Sequence, residues 1–193
     1  MSTLNLTRAL EELIADITSR VDEFRHIDPA RVLICVSSTR GGGIHGTYAK
    51  IHPLRFEGGL SSIEVKRGRR TRVCTLPEVT LGGKEMLYII YFLVPRFFNL
   101  TLREKLVTVF HELFHISPLF DGDIRRFPGR NYAHGGSRKR YNAIMADMVD
   151  VYLRQMEAQA LIGFLDGDME TLRARHGVIV GRRFPAPKIH IRG

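Results

Sequence analysis

Five consecutive residues, His111-Glu112-Leu113-Phe114-His115, have the types and spacing that hydrolytic chemistry requires. On a helix, His111 and His115 stand one turn apart on the same face, where two neutral imidazoles reach a single zinc ion. Glu112 then stands beside them as a candidate base for zinc-bound water. Two ligands do not complete such a centre, because a catalytic zinc takes three protein ligands and keeps one position open. The downstream chain offers two candidates for the third. His134 lies in YAHGGSRKR just ahead of a second helical pattern, where Gly135 and Gly136 permit close backbone approach and Ser137 can cap the helix. Asp121, six residues beyond His115, is the alternative, and His134 is preferred.

The elements that must position these residues follow from hydrophobic period. Thr101 or Asn99 can cap a helix through Leu102, Leu106, Phe110, Leu113 and Phe114, which carries the pentapeptide. Before it, MLYIIYFLVP from Met86 to Pro95 is far short of the roughly 20 residues that cross a bilayer and reads as a core strand. Leu6, Leu10, Leu13, Ile14, Ile17, Val21 and Phe24 paint one face of an N-terminal helix. Arg31 to Val36 reads as a buried strand after the Asp28-Pro29 break. Tyr48 to Phe56 and Ile63 to Val73 supply weaker strands of the same small sheet, and STRGGGIHG reads as a turn without the signature of a phosphate-binding loop. After His134, a helix presents Tyr141, Ile144, Met145, Met148, Val149, Tyr152, Leu153 and Met156 on one face; this methionine stripe is core, not a soft-metal site. Asp147 and Asp150 near its other face are solvated or orient the metal-bound histidines. Strand beside helix implies an α+β single domain, with a small mixed sheet packed on the N-terminal helix and the helix bearing His111. The domain is expected over residues 1–181, followed by a basic C-terminal tail at 182–193.

The composition is compatible with that reading and narrows it. In 193 residues, 44% are hydrophobic, and 29 Lys and Arg face 20 Asp and Glu, giving a net charge of +9. Such a chain is neither disordered, collagen-like nor a disulfide-stapled secreted scaffold. Cys35 and Cys74 form no CxxC pair, so each reads as a reduced thiol, Cys35 in the core. The N-terminus matches no secretion or transit signal, and a cytoplasmic location is expected. Lys66, Arg67, Arg69, Arg70 and Arg72 form the densest basic run, while Arg125, Arg126, Arg130, Arg138, Lys139 and Arg140 flank the candidate metal loop. These patches suit phosphate backbones or acidic proteins, although no zinc finger, helix-turn-helix or RNA-recognition motif accompanies them.

HELFH followed by His134-Gly135 and a helix bearing aromatics and methionines resembles the zincin-like peptidases of the SprT and WLM type. The longer stretch HELFHISPLFDGDIRR with the later YAHG resembles metallopeptidases of phages and prokaryotic genomes. The resemblance spans His111 to Met148 and implies a zincin-like fold. It implies His111, His115 and His134 as zinc ligands, Glu112 as the catalytic base, and the strand from Met86 to Val94 as the sheet edge beside the cleft. The chain departs from the SprT pattern in the acidic, Pro- and Gly-bearing loop after His115 and in lacking a C-terminal four-cysteine ribbon. The Asp121 offset resembles the compact metzincin arrangement, but Pro118 stands where those proteins have a turning glycine; Asp121 and Asp123 also suit holding the loop, orienting a histidine or pairing with Arg125 and Arg126. The expected activity is hydrolysis of a peptide or protein substrate, with Tyr132 or Tyr141 as a candidate oxyanion donor. The competing reading is a nucleic-acid-associated binding protein whose zinc site is structural or noncatalytic. No membrane association is expected.

Overall fold

A computed structural model describes residues 2–39, 46–127, 138–155 and 161–193, with the side chains of the third stretch from residue 143 onward. Strand β1 (Thr3–Asn5) leads directly into helix α1 (Leu6–Arg20), whose Asn5 cap accepts the Arg8 amide. Leu6, Leu10, Leu13, Ile14 and Ile17 are buried, as their spacing predicts. The helix is shorter than its apolar period suggests. Val21 is extended, and Asp22–Phe24 forms a 3-10 turn that places Phe24 in the core, edge-on to Phe110 at 5.4 Å.

The middle of the chain supplies β2 (Val32–Ser38), β3 (Ala49–Pro53), β4 (Ser62–Arg67), β5 (Arg70–Thr75), the short β6 (Thr80–Leu81) and β7 (Lys84–Glu85), and β8 (Tyr88–Val94). These do not form one sheet. The order β2-β8-β3 makes a mixed sheet, with β2 parallel and β3 antiparallel to β8. The hairpin β4-β5 belongs to a separate antiparallel sheet, because it carries charges on both faces that burial between layers would strand without water.

Strand β8 is central, which corrects the expectation of an edge at Met86 to Val94. The reason lies in its two faces. Tyr88, Ile90 and Phe92 pack with α1 and the helices that follow, whereas Ile89 and Tyr91 join Leu33, Cys35, Leu54, Val79 and Met86 on the opposite side. A strand apolar on both faces is buried on both faces, and the middle of the sheet is where that happens. Burial pushes the Cys35 thiol up to about 11, so it stays a protonated core residue.

Beyond β8, Thr101 caps α2 (Leu102–Phe114), followed by α3 (Arg138–Gln155), α4 (Met169–His176), β9 (Val178–Val180) and β10 (His190–Arg192). β9 pairs parallel with β1, tying the segment after α4 to the N-terminal strand. Tyr152 of α3 donates its hydroxyl to Asp16 of α1 at 2.7 Å, and Met145, Val149 and Tyr152 are fully buried. Ile144, placed on that apolar face by its spacing, is instead 41% exposed.

The last residues pack back on the domain. Arg182 accepts the Val36 amide at 2.8 Å, donates its own amide to Thr7, and reaches Glu11 at 2.6 Å. A Cβ on Gly181 would lie 2.6 Å from Val36 Cγ2, so only glycine lets the chain close this flank of β2. Phe184 joins the second apolar cluster, and β10 adds to β5. With β2 covered in this way, β3 is the flank of the mixed sheet left beside α2. The whole is a mixed α+β single domain, and no helix among the described residues is long and apolar enough to cross a membrane.

Candidate functional site

Helix α2 has a capping box: Thr101 accepts the Glu104 amide, and Glu104 accepts the Thr101 amide in return. Its apolar face, Leu106, Val109, Phe110 and Leu113, is anchored in the main core. That anchoring turns Glu104, Val107, Thr108, His111 and His115 toward a cleft of about 1040 Å³. His115 is the residue at which the helix ends. The two imidazoles therefore converge, with Nε2 atoms 3.1 Å apart.

A pair of ring nitrogens this close is held by a shared proton or a common cation. Two nitrogen ligands of a tetrahedral zinc lie roughly 3.3 Å apart, so the donor chemistry and the spacing fit that metal. Among the described residues, no group of three or more His, Cys, Asp or Glu side chains is placed to hold a metal ion. His134, Tyr132 and residues 40–45 of the glycine turn lie outside the described residues, as does the side chain of Tyr141.

Glu112 is 6% exposed and lines the same cleft. Burial pushes its carboxyl up to about 7, opposed by a hydrogen bond from the Ile51 amide. That bond follows from the register of β3. The Leu93 amide donates to Tyr48 and the Leu54 amide to Leu87, so the even-numbered residues of β3 bond to β8. Antiparallel alternation then turns the peptide groups of Ala49, Ile51 and Pro53 away from β8, toward α2. The sheet edge that faces Glu112 is thus β3, not the strand the resemblance implied.

The chain after His115 folds back on itself. Ile116 bridges Ile124, and His115 accepts the Arg125 amide at 2.7 Å, which fixes the helix end from behind. Asp121 spends its carboxylate on the Asp123 amide, and Asp123 pairs with Arg126 through both oxygens. Both acids hold the loop, and among the described residues Asp121 forms no metal-holding group with the two histidines. The flanking arginines are also engaged: Arg125 pairs with Glu23 and covers the Phe114 ring at 4.0 Å. On α3, Asp150 pairs with Arg103 instead of a histidine, and Asp147 is exposed.

A positioning residue that sequence reasoning missed is Tyr88. Read only as a core side chain, it donates its hydroxyl to the Asp123 carbonyl at 2.8 Å and accepts the Gly122 amide at 3.0 Å. Gly122 sits at φ +90°, with Arg55 so close that a Cβ would meet its Cγ at 2.6 Å. Removing one hydroxyl leaves the buried Gly122 amide without its partner and takes one of two donors from the Asp123 carbonyl, which keeps the Ser117 amide. Tyr88→Phe is expected to lower stability by about 1–3 kcal/mol in urea unfolding and to speed hydrogen exchange at the Gly122 amide. Unchanged exchange there would show that the hydroxyl does not hold the loop.

Comparison with known proteins places the chain in context. A family model described as "Putative phage metallopeptidase" matches residues 4–139, a span that includes α1, the mixed sheet, α2 and the loop after it. No curated protein and no solved structure matches the chain.

Proposed function

The chain belongs to the family described as "Putative phage metallopeptidase", and from that premise we propose that it is a zinc-dependent peptidase with a zincin-like fold. In this reading His111, His115 and His134 hold the metal and Glu112 is the general base. The observation that carries it is the convergence of His111 and His115 at 3.1 Å, with the Glu112 carboxylate buried in the same cleft. His134 is assigned from its place in the sequence, just ahead of α3. The relation to SprT and WLM peptidases is part of the same proposal and rests on the order of HELFH, His134-Gly135 and the methionine-bearing α3.

Zinc, when bound, supplies Lewis acidity that acidifies water and polarises a carbonyl. The chain's own groups do the rest. Glu112 takes the proton from the attacking water and returns it to the leaving amine. The Ile51 amide fixes the orientation of that carboxylate, and the Arg125 amide holds the His115 backbone. Flank β3 offers outward peptide groups along which an extended substrate can add as a strand, an arrangement that favours a peptide over a compact small molecule.

Metal content is the direct test. Wild-type protein is expected to carry about one equivalent of zinc after dialysis, and His111→Ala and His134→Ala each to lose it. Stoichiometric zinc retained by both variants would overturn the three-histidine assignment.

A further inference from the structure

We propose that hairpin β4-β5, extended by β10, is a docking surface for duplex nucleic acid that grips the phosphate backbone through Arg67, Arg70 and Arg72. The inference is independent of the peptidase reading and stands or falls without it.

The register brings the three arginines together. Val65 lies opposite Arg72 and Arg67 opposite Arg70, so all three guanidinium-bearing positions fall on one face of the sheet. Every residue from Glu64 to Val73 is exposed, and among the described residues none of the three arginines forms an ion pair with an acid. Elsewhere among the described residues most arginines are paired with acids: Arg31 and Arg55 share Glu85, Arg103 has Asp150, and Arg126 has Asp123. Like charges directly opposite each other on a sheet repel, so the Arg67/Arg70 pair opposes hairpin formation unless an anion lies between them. A polyanion turns that repulsion into attraction, and guanidinium groups bind phosphate oxygens in pairs.

The surrounding residues select the kind of polyanion. The three strands contain no Phe, Tyr or Trp, so there is no platform on which the bases of a single strand would stack. The turn at Gly68 and Arg69 has no apolar residue to enter a bilayer. What remains is a cationic two-stranded ribbon. Because β10 pairs only with Val73 to Thr75, the two-stranded part is the tip from Val65 to Arg72, about 10 Å long. A ribbon of that form enters a duplex major groove about 12 Å wide. The hairpin is rooted where the Leu76 amide meets the Ser61 carbonyl, and nearby Gly59 packs on Asp121. A bound duplex would lie beside the loop that follows His115.

Fluorescence anisotropy with a labelled duplex of about two helical turns tests this, titrated from about 50 to about 200 mM salt. Arg67→Ala/Arg70→Ala/Arg72→Ala is expected to weaken binding at least about tenfold and to flatten the slope of log K against log salt by about 2.7, three contacts at roughly 0.9 each. The corresponding triple Lys variant should keep most of the affinity, and Arg8→Ala, on exposed α1, all of it. Arg72→Glu alone should weaken binding in the same direction, giving a readout with one exposed substitution. Unchanged affinity and slope in the triple Ala variant would overturn the proposal. So would tighter binding of the single strand alone, or retention on phosphatidylserine vesicles without duplex binding.

Discussion

Glu112→Gln is expected to lower kcat/KM for peptide cleavage by about 10²–10⁴-fold, the range contributed by a positioned general base. The substitution separates chemistry from folding unusually well. The side chain is 6% exposed, and glutamine has nearly the same volume, so the surrounding packing is kept. Its amide oxygen can still accept the Ile51 amide, the hydrogen bond that orients the carboxylate against β3. What disappears is the ability to take a proton. The imidazoles of His111 and His115 are untouched, so zinc content and thermal midpoint should match wild type while turnover falls. A peptide-library cleavage assay comparing the two proteins, with zinc measured on the same samples, gives the answer. Equal cutting by both would remove Glu112 from the reaction.

Lys105→Ala is expected to be the most damaging single change to stability outside the apolar core, at about 3–5 kcal/mol in urea unfolding. Lys105 sits on α2 and is only 1% exposed. Its ammonium donates to the Leu165 carbonyl at 2.7 Å and the Gly167 carbonyl at 2.6 Å, and lies 5.6 Å from the centre of the Phe98 ring. Truncation therefore orphans two carbonyls and opens a cavity between α2 and the turn before α4. Lys105→Met fills the cavity but not the hydrogen bonds, so it should fall between wild type and the alanine variant. Burial lowers the Lys105 pKa from 10.5, with Asp166 and Asp168 opposing. The unfolded chain then holds that proton more tightly than the fold does, so stability rises as pH climbs toward 10.5. Lys105→Met should lose that part of the pH slope, and an unaltered slope would show that the ammonium is not held as described.

The expected and observed elements differ where burial, not period, decides. The spacing of α1 and α2 is legible because a 3.6-residue repeat is a property of each segment alone, as is the capping box at Thr101 and Glu104. The strand at Tyr88–Val94 was legible as a strand but misplaced as an edge, because a run apolar on both faces announces burial without naming its neighbours. Grouping β4-β5 with the mixed sheet failed for a related reason. Its alternation is weak, and the arginines that exclude it from the core are visible only as a charge run. Lys105 shows the limit most plainly: in the sequence it is one more cation on an amphipathic helix, and only the carbonyls of residues 165 and 167, some sixty positions away, make it a buried one.

By itself, the sequence determined the chemistry on offer: two imidazoles one helical turn apart, a carboxylate beside them, and a helix able to carry all three. Those are local relations, set by residue identity and the pitch of an α-helix. The tertiary structure decided the surroundings. It chose β3 as the flank against Glu112, used Tyr88 and Arg125 to hold the chain behind His115, and spent Asp121 on its own loop. Each of these depends on which of several compatible surfaces meet when distant segments collapse together. The energy of such a meeting belongs to the pair, so neither segment's pattern records it.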